Sequence, residues 1–353
     1  MGSGDAWTNL RRHTGYQHAQ ITDNNPTPNS QLPTPFLRLC VSFLLFVLLI
    51  SCATTPKAGQ GLVDSAPDFS ILPPGADLYL WADVGRAKPL LEAIAFADFT
   101  GKEASQILDR TESFMAAFYP EGDGRRFSLA GFGKYPYLRA GASMTFSSGW
   151  KKVKSETGNR YWHSEGYNLG VAMGSVLAIA SDGDPFAPGA GSNPTPQAFE
   201  GFRRACVLSG WFTKPDVPLD RFMDSLGLPL QIPAEEFFLG VKMVTDKTQI
   251  AGNLSDGDLW ELVFKFKTPS AASARSLLAP FSVARLFVQR AAIDDEGFPG
   301  GTFPLSPLEA AALLFANIPE QDEEYLTLYT GPLNADKIAL LFNLFSVYLF
   351  SGN

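Results

Sequence analysis

One stretch near the N-terminus constrains this chain more than any other: the nearly unbroken apolar run from Leu39 to Ile50, led by Arg38. At about a dozen residues it has the length of a signal-peptide core, which is about 7–15 residues. It falls short of the roughly 20 apolar residues that a helix needs to cross a bilayer. Thr54, Thr55, Pro56 and Lys57 follow at once, and Pro56 discourages any helix from continuing. The run therefore divides the chain into a directing segment and a working part that begins near residue 52.

The run closes on Leu49-Ile50-Ser51-Cys52, which resembles the lipobox of bacterial lipoproteins. The resemblance covers the leader alone. It implies diacylglycerol on the Cys52 sulfur, cleavage between Ser51 and Cys52, and acylation of the new amino group. Two or more acyl chains hold a protein on a membrane stably where one gives marginal binding. Ala53 and Thr54 do not resemble the Asp signal that retains lipoproteins at the inner membrane, so the resemblance favours the outer membrane. The alternative is an uncleaved N-terminal anchor in which Cys52 is incidental.

Charge excludes some partners. The 353 residues carry a formal net charge of −8, and removing residues 1–51 leaves the remainder more acidic still. Nucleic-acid binding rests largely on basic contacts to phosphate, so no nucleic-acid partner is expected. Adhesion to anionic lipid by charge alone is disfavoured for the same reason, which leaves the anchoring to lipid on Cys52. Of the three cysteines, only Cys206 would remain as a free thiol. Its setting, Ala205-Cys206-Val207-Leu208, predicts a buried structural residue.

The chain then reads in order. Residues 1–35 have the composition of disorder, and translation is expected to start nearer Leu32 or Leu37. The directing segment occupies 36–51 and a flexible tether 52–70. A first α+β unit is expected over 71–185, a linker over 186–200 and a second α+β unit over 201–353. In the first, Ala76–Ala82 reads as a strand, Pro89–Ile94 starts a helix, and Lys102–Tyr119 shows near-helical spacing. Strands are expected at Phe127–Phe132, Tyr137–Phe146, Arg160–His163 and Tyr167–Ala180, an antiparallel meander.

The second unit replays this pattern. Arg204–Trp211 is strand-like and Pro218–Leu226 helical. Strands are expected at Glu236–Thr245, Gln249–Leu254 and Leu259–Lys267. The last alternates cleanly, with Trp260, Leu262, Phe264 and Phe266 on one face. A helix capped by Ser270 reaches about Gln289, another covers Pro307–Asn317, and a strand covers Tyr325–Tyr329. Asn334 and Asp336 can cap a final apolar helix through Phe350, too short to span a bilayer and read as a core helix or a contact surface. The fold class is α+β with two related strand–helix–antiparallel-meander units, an internal duplication.

Chemistry-bearing motifs are few. His163 is the one histidine of the mature part and is read as facing solvent or a sheet edge. One His and one spare Cys cannot build a closed zinc site. Asp182-Gly183-Asp184 and Asp256-Gly257-Asp258 read as turns, because the oxygen spacing and distal Glu of a calcium loop are missing. Gly131-Phe132-Gly133-Lys134 lacks the signals of a phosphate loop. Glu320-Gln321-Asp322-Glu323-Glu324 reads as a solvated loop. No catalytic, cofactor-binding or metal-binding residue is assigned, and no cofactor is implied. The expectation is a membrane-anchored envelope lipoprotein with a binding, assembly or structural role, an envelope protein being one possible partner. A carboxylate-dependent hydrolase of envelope polymers and an apolar-ligand carrier are the alternatives.

Overall fold

The computed structural model describes residues 68–96, 109–119, 126–146, 149–155, 158–164, 166–172, 176–187, 195–225, 231–245, 258–294 and 307–350. The leader, Ser51, Cys52, nearly all of the tether, the strand expected at Gln249–Leu254 and the turn at Asp256-Gly257 lie outside the described residues.

Among the described residues twelve strands form one antiparallel sheet: β1 Leu78–Asp83, β2 Thr111–Tyr119, β3 Arg126–Gly133, β4 Lys151–Lys154, β5 Arg160–Ser164, β6 Tyr167–Ala172, β7 Val176–Ala180, β8 Leu208–Phe212, β9 Glu236–Met243, β10 Trp260–Lys267, β11 Glu320–Asp322 and β12 Tyr325–Tyr329. Their order is β11-β12-β10-β9-β8-β1-β2-β3-β7-β6-β5-β4. The described helices are α1 Val84–Phe96, α2 Tyr137–Phe146, α3 Gln197–Ala205, α4 Asp216–Ser225, α5 Ala271–Asp294, α6 Pro307–Leu314 and α7 Ala335–Phe350. The α+β expectation holds.

Alternation along the strands sorts side chains onto two faces. On the first face Leu78, Ala82, Phe212, Phe237, Leu239, Trp260, Leu262, Phe264 and Leu328 enter one apolar cluster with Leu90, Leu219, Phe281, Ala310 and Ile338 of the helices. There α7 packs against α1 and α4, and α5 against α6. Further along, α2 lies against β6 and adds Met144 to a smaller cluster with Trp162, Leu169 and Ile179. On the second face Tyr79, Trp81, Trp211 and Phe238 are covered by α3 and by a short 3-10 turn, Phe69–Ile71. Tyr79 stacks on Trp211 at 4.4 Å, and Phe69 meets Trp211 edge-on at 4.8 Å.

Topology repeats across the middle of the sheet. The path β1-α1-β2-β3-α2 ends with β7 beside β3, and β8-α4-β9-β10-α5 ends with β12 beside β10. The two paths meet where β1 pairs antiparallel with β8, Leu78 opposite Phe212.

Several elements differ from the sequence reading. Thr111–Tyr119 is strand rather than helix. Phe114 and Phe118 serve the first face while Met115 and Ala117 are buried on the second. A strand covered on both faces loses its polar alternation, and its apolar residues can then fall at helical spacing. Tyr137–Phe146 is helix rather than strand: Gly141 lies against the Trp162 ring, and Met144, three residues on and so on the same helical side, is buried in the cluster that holds Trp162. Helix α3 ends at Ala205, so the strand expected at Arg204–Trp211 starts only at Leu208. This helix also begins inside the stretch expected as linker. The acidic run at Glu320 is a short edge strand, which turns at Glu323 with φ of 51° and pairs with β12.

Candidate functional site

The described residues place the chemistry-bearing side chains apart from one another. His163 is exposed on β5, with its ring Nδ1 2.7 Å from Asn168 Oδ1, while neighbouring Trp162 points inward. Asp182-Gly183-Asp184 is a turn: Gly183 has φ of 72° and donates to Asp182 Oδ1, and Phe186 N–H donates to Asp184 Oδ1. Gly131 and Gly133 belong to β3, and Gly133 lies so close to the backbone of Arg110 that no side chain fits. Cys206 is fully buried beside Phe202 and Gly240, and burial pushes its thiol up to about 12. Among the described residues no group of His, Cys, Asp and Glu side chains is placed to hold a metal ion.

What the fold does assemble is exposed apolar surface on two helices. Ser270 caps α5 by accepting from Ser273 N–H at 3.1 Å. Ala274, Leu277, Phe281, Ala284 and Val288, at spacings of three and four, then form the buried seam of that helix. The opposite side carries Val283, Leu286 and Phe287, which are 65%, 59% and 62% exposed. Arg275 and Arg290 flank this stripe in exposed positions. Helix α5 is therefore amphipathic toward the core and carries a second apolar stripe toward solvent.

Helix α2 is built the same way on a smaller scale. Met144 turns inward, while Leu138 and Phe146 are 82% and 87% exposed. The helix is fixed to the sheet by Trp162 Nε1, which donates to Thr145 Oγ1 at 3.3 Å. Just beyond Phe146, half-buried Trp150 meets Tyr167 edge-on at 5.5 Å. Strand β4 then presents exposed Lys151, Lys152 and Lys154, with exposed Arg160 alongside. This cationic edge stands out on an acidic chain. Lysines on an edge strand also discourage pairing with a further strand. No helix among the described residues is long and apolar enough to cross a membrane.

Sequence reasoning located α5 and its cap but did not separate its two apolar stripes. It read α2 as a strand and so missed Leu138 and Phe146. Cys52 and Ser51 fall outside the described residues.

The molecule is thus an α+β domain on one long antiparallel sheet, with exposed apolar residues on two helices. Residues 64–182 match a family described as outer membrane-associated lipoprotein TP0453. The outer membrane protein TP0453 of Treponema pallidum (strain Nichols) is 31% identical over 97 residues, which is 28% of this chain and 33% of that protein. The alignment thus spans about a third of that relative's length. Crystal form I of TP0453 superposes with a TM-score of 0.49 and 17% identity, covering 81% of this chain and 99% of that one. Crystal form IV gives 0.47 and 16%, covering 79% and 97%.

Proposed function

We propose that this chain is the precursor of an outer-membrane lipoprotein without a catalytic role. In this reading it is cut between Ser51 and Cys52, anchored by lipid on Cys52, and held further against the bilayer by its folded domain. The observation that carries the second contact is the outward stripe Val283, Leu286 and Phe287, on a helix whose core face is already complete. Leu138 and Phe146 on α2 offer another such contact. Fully burying a large apolar side chain is worth about 1.5–3 kcal/mol, so the stripe on α5 would add a few kcal/mol to what the lipid supplies. The lipobox resemblance and the match of residues 64–182 to a family described as outer membrane-associated support the location. The repeated topology supports an origin by internal duplication, in which 71–185 and 201–353 descend from one unit.

The test is flotation of the full chain with vesicles and with native membranes. Cys52→Ala is expected to lose the lipid and most of the membrane fraction. The variant V283D/L286D/F287D is expected to keep the lipid when Cys52 is present and, combined with Cys52→Ala, to weaken the residual binding of that chain at least about tenfold, as a loss of about 1.4 kcal/mol or more requires. Unchanged flotation of that combined variant relative to Cys52→Ala alone would remove the helix contact. Recovery of an unprocessed chain without lipid would remove the anchor.

A further inference from the structure

The β4 end of the sheet carries charge opposite in sign to that of the chain as a whole, and strand register fixes which way it points. Lys152 stands opposite Trp162, and Lys154 opposite Arg160. Trp162 is buried toward α2, in the cluster that holds Met144. Alternation along β4 and β5 then puts Lys152, Lys154 and Arg160 on the side of the sheet where α2 lies, and all three are exposed. Among the described residues none of the three forms an ion pair. The acid of the adjoining turn lies on the other side. There the Phe186 ring covers Gly170, which stands opposite Tyr161, and Asp184 acts on Tyr161 and accepts from Ser155 Oγ.

Bare apolar side chains stand beside these cations. The indole of Trp162 donates to Thr145 Oγ1, so the last turn of α2 sits by the rung that carries Lys152. Phe146 is the next residue, and Leu138 begins the same exposed stripe two turns earlier. Trp150 and Tyr167 meet edge-on just beyond, and such rings suit a boundary that is apolar on one side and wet on the other. Cations alone would fit any acidic partner. Cations set among exposed Leu, Phe and Trp fit a surface that is anionic at its rim and hydrocarbon beneath. Lys and Arg bridge those two layers, laying the stem on apolar surface and the charged head at the phosphates. On a molecule with a net charge of −8, such a surface attracts this end and repels the overall charge, which sets orientation as well as affinity.

We propose that the α2–β4 end of the domain seats on a bilayer of anionic phospholipid, with Leu138 and Phe146 at the acyl boundary and Lys152, Lys154 and Arg160 on the lipid phosphates. The inference rests on the membrane reading and deepens it by naming the lipid class that this end meets. A strand from a second copy is a poor occupant, because three lysines among the four residues of β4 oppose edge pairing.

The experiment measures flotation of the full Cys52→Ala chain with vesicles of phosphatidylcholine alone and of phosphatidylcholine with equimolar phosphatidylglycerol. Binding is expected to be at least about tenfold tighter to the anionic vesicles, since each basic side chain near such a surface contributes about fivefold. K152Q/K154Q/R160Q should erase that preference and K152R/K154R should retain it, whereas Arg204→Gln, exposed on α3, should leave it unchanged. Salt should erode it too, because the screening length falls from about 10 Å at 0.1 M to about 3 Å at 1 M. L138S/F146S should weaken binding to the anionic vesicles at least about tenfold. Three results would overturn the inference: equal binding to both vesicles, a preference untouched by K152Q/K154Q/R160Q, or full binding by L138S/F146S, which would assign the patch to an acidic partner instead. The membrane reading fails by a separate result, unchanged binding of V283D/L286D/F287D to phosphatidylcholine vesicles.

Discussion

Glu200 and Arg203 on α3 should contribute unequally to stability although they form one ion pair. Arg203 donates from Nε to Glu200 Oε2 at 3.1 Å and from Nη2 to Oε1 at 2.7 Å, and its guanidinium lies 4.6 Å from the centre of the Trp81 ring. Its side chain is 4% exposed, against 27% for Glu200. Replacing Glu200 by Gln leaves a buried cation with one neutral acceptor. Breaking a fully buried pair costs about 3–5 kcal/mol, and the partial exposure of Glu200 lets water reduce that to about 2–3 kcal/mol. Arg203→Met removes the buried charge itself and leaves an apolar stem over Trp81. Glu200 then keeps Arg204 at 3.3 Å and its water, so the cost falls to about 0–1.5 kcal/mol. Arg204→Ala, at a side chain 72% exposed, should cost less than about 0.5 kcal/mol.

The same pair sets a pH signature. Hydrogen bonding from Arg203 holds the Glu200 carboxyl below its ordinary value of 4.5. A depressed folded-state value means that the stabilisation is complete above about 4.5 and disappears as pH falls through the lower folded value. The gap between wild type and Glu200→Gln should therefore close toward pH 3. Urea unfolding of the full chain in detergent, followed by tryptophan fluorescence at neutral and acid pH, measures all of this. An Arg203→Met variant as unstable as Glu200→Gln, or a gap that does not change with pH, would refute the reasoning.

Other perturbations test the packing. Phe237 is 2% exposed, with the rings of Phe212 and Phe266 each 4.9 Å away, so Phe237→Ala should cost about 3–5 kcal/mol and Phe237→Leu about 1–2, read from urea midpoints. A Cβ on Gly240 would stand 2.6 Å from Cys206 Sγ and 2.8 Å from the Phe202 ring. Gly240→Ala should therefore lose about 1–3 kcal/mol, and adding Cys206→Ala should restore part of it; full stability of the single variant would show that α3 can shift freely. Cys206 itself should react with a maleimide only at the rate of unfolding, because burial keeps the thiol protonated, and rapid labelling of the native chain would contradict its placement.

What the sequence disclosed depended on how many sides of an element are wet. Leu259–Lys267 was legible because Glu261, Lys265 and Lys267 mark the open face of β10 against Trp260, Leu262, Phe264 and Phe266. Tyr325–Tyr329 and the caps at Ser270 and Asn334 were legible for similarly local reasons; Asn334 Oδ1 accepts from Lys337 N–H at 2.9 Å. Strand β2 was not, since burial on both faces erases the mark that distinguishes strand from helix. On α5 both apolar stripes are visible in the sequence, but only the position of the sheet decides that Phe281 is buried while Phe287 faces solvent. The mixed-charge groove lined by Lys242, Glu261, Arg285, Glu320 and Tyr329 was beyond reach, because those residues belong to five elements that only the tertiary fold brings together.

The repeated topology invites the view that each half is a domain able to fold alone, and the packing predicts the opposite. Where β1 meets β8 the halves share ladder hydrogen bonds from Leu78–Phe212 to Ala82–Leu208. Thr213 Oγ1 donates to the Ala76 carbonyl, Lys214 pairs with Asp77 at 3.2 Å, and Tyr79 stacks on Trp211. The largest apolar cluster joins Leu78, Ala82, Ala87 and Leu90 to Val207, Phe212, Leu219 and Ile338, and α7 at the end of the chain lies on α1 near its beginning. A cut between the halves would expose a central strand edge and bare one side of the core in each fragment. Each fully buried Leu or Phe left exposed forfeits about 1.5–3 kcal/mol, and a few such losses consume the 5–15 kcal/mol that typically holds a domain together. Residues 1–190 and 191–353 expressed separately are therefore expected to aggregate or to lack a cooperative transition, and to regain one when expressed together. Cooperative unfolding of residues 191–353 alone, measured by tryptophan fluorescence in urea, would mean that the β1–β8 junction is a docking contact between two domains rather than the middle of one.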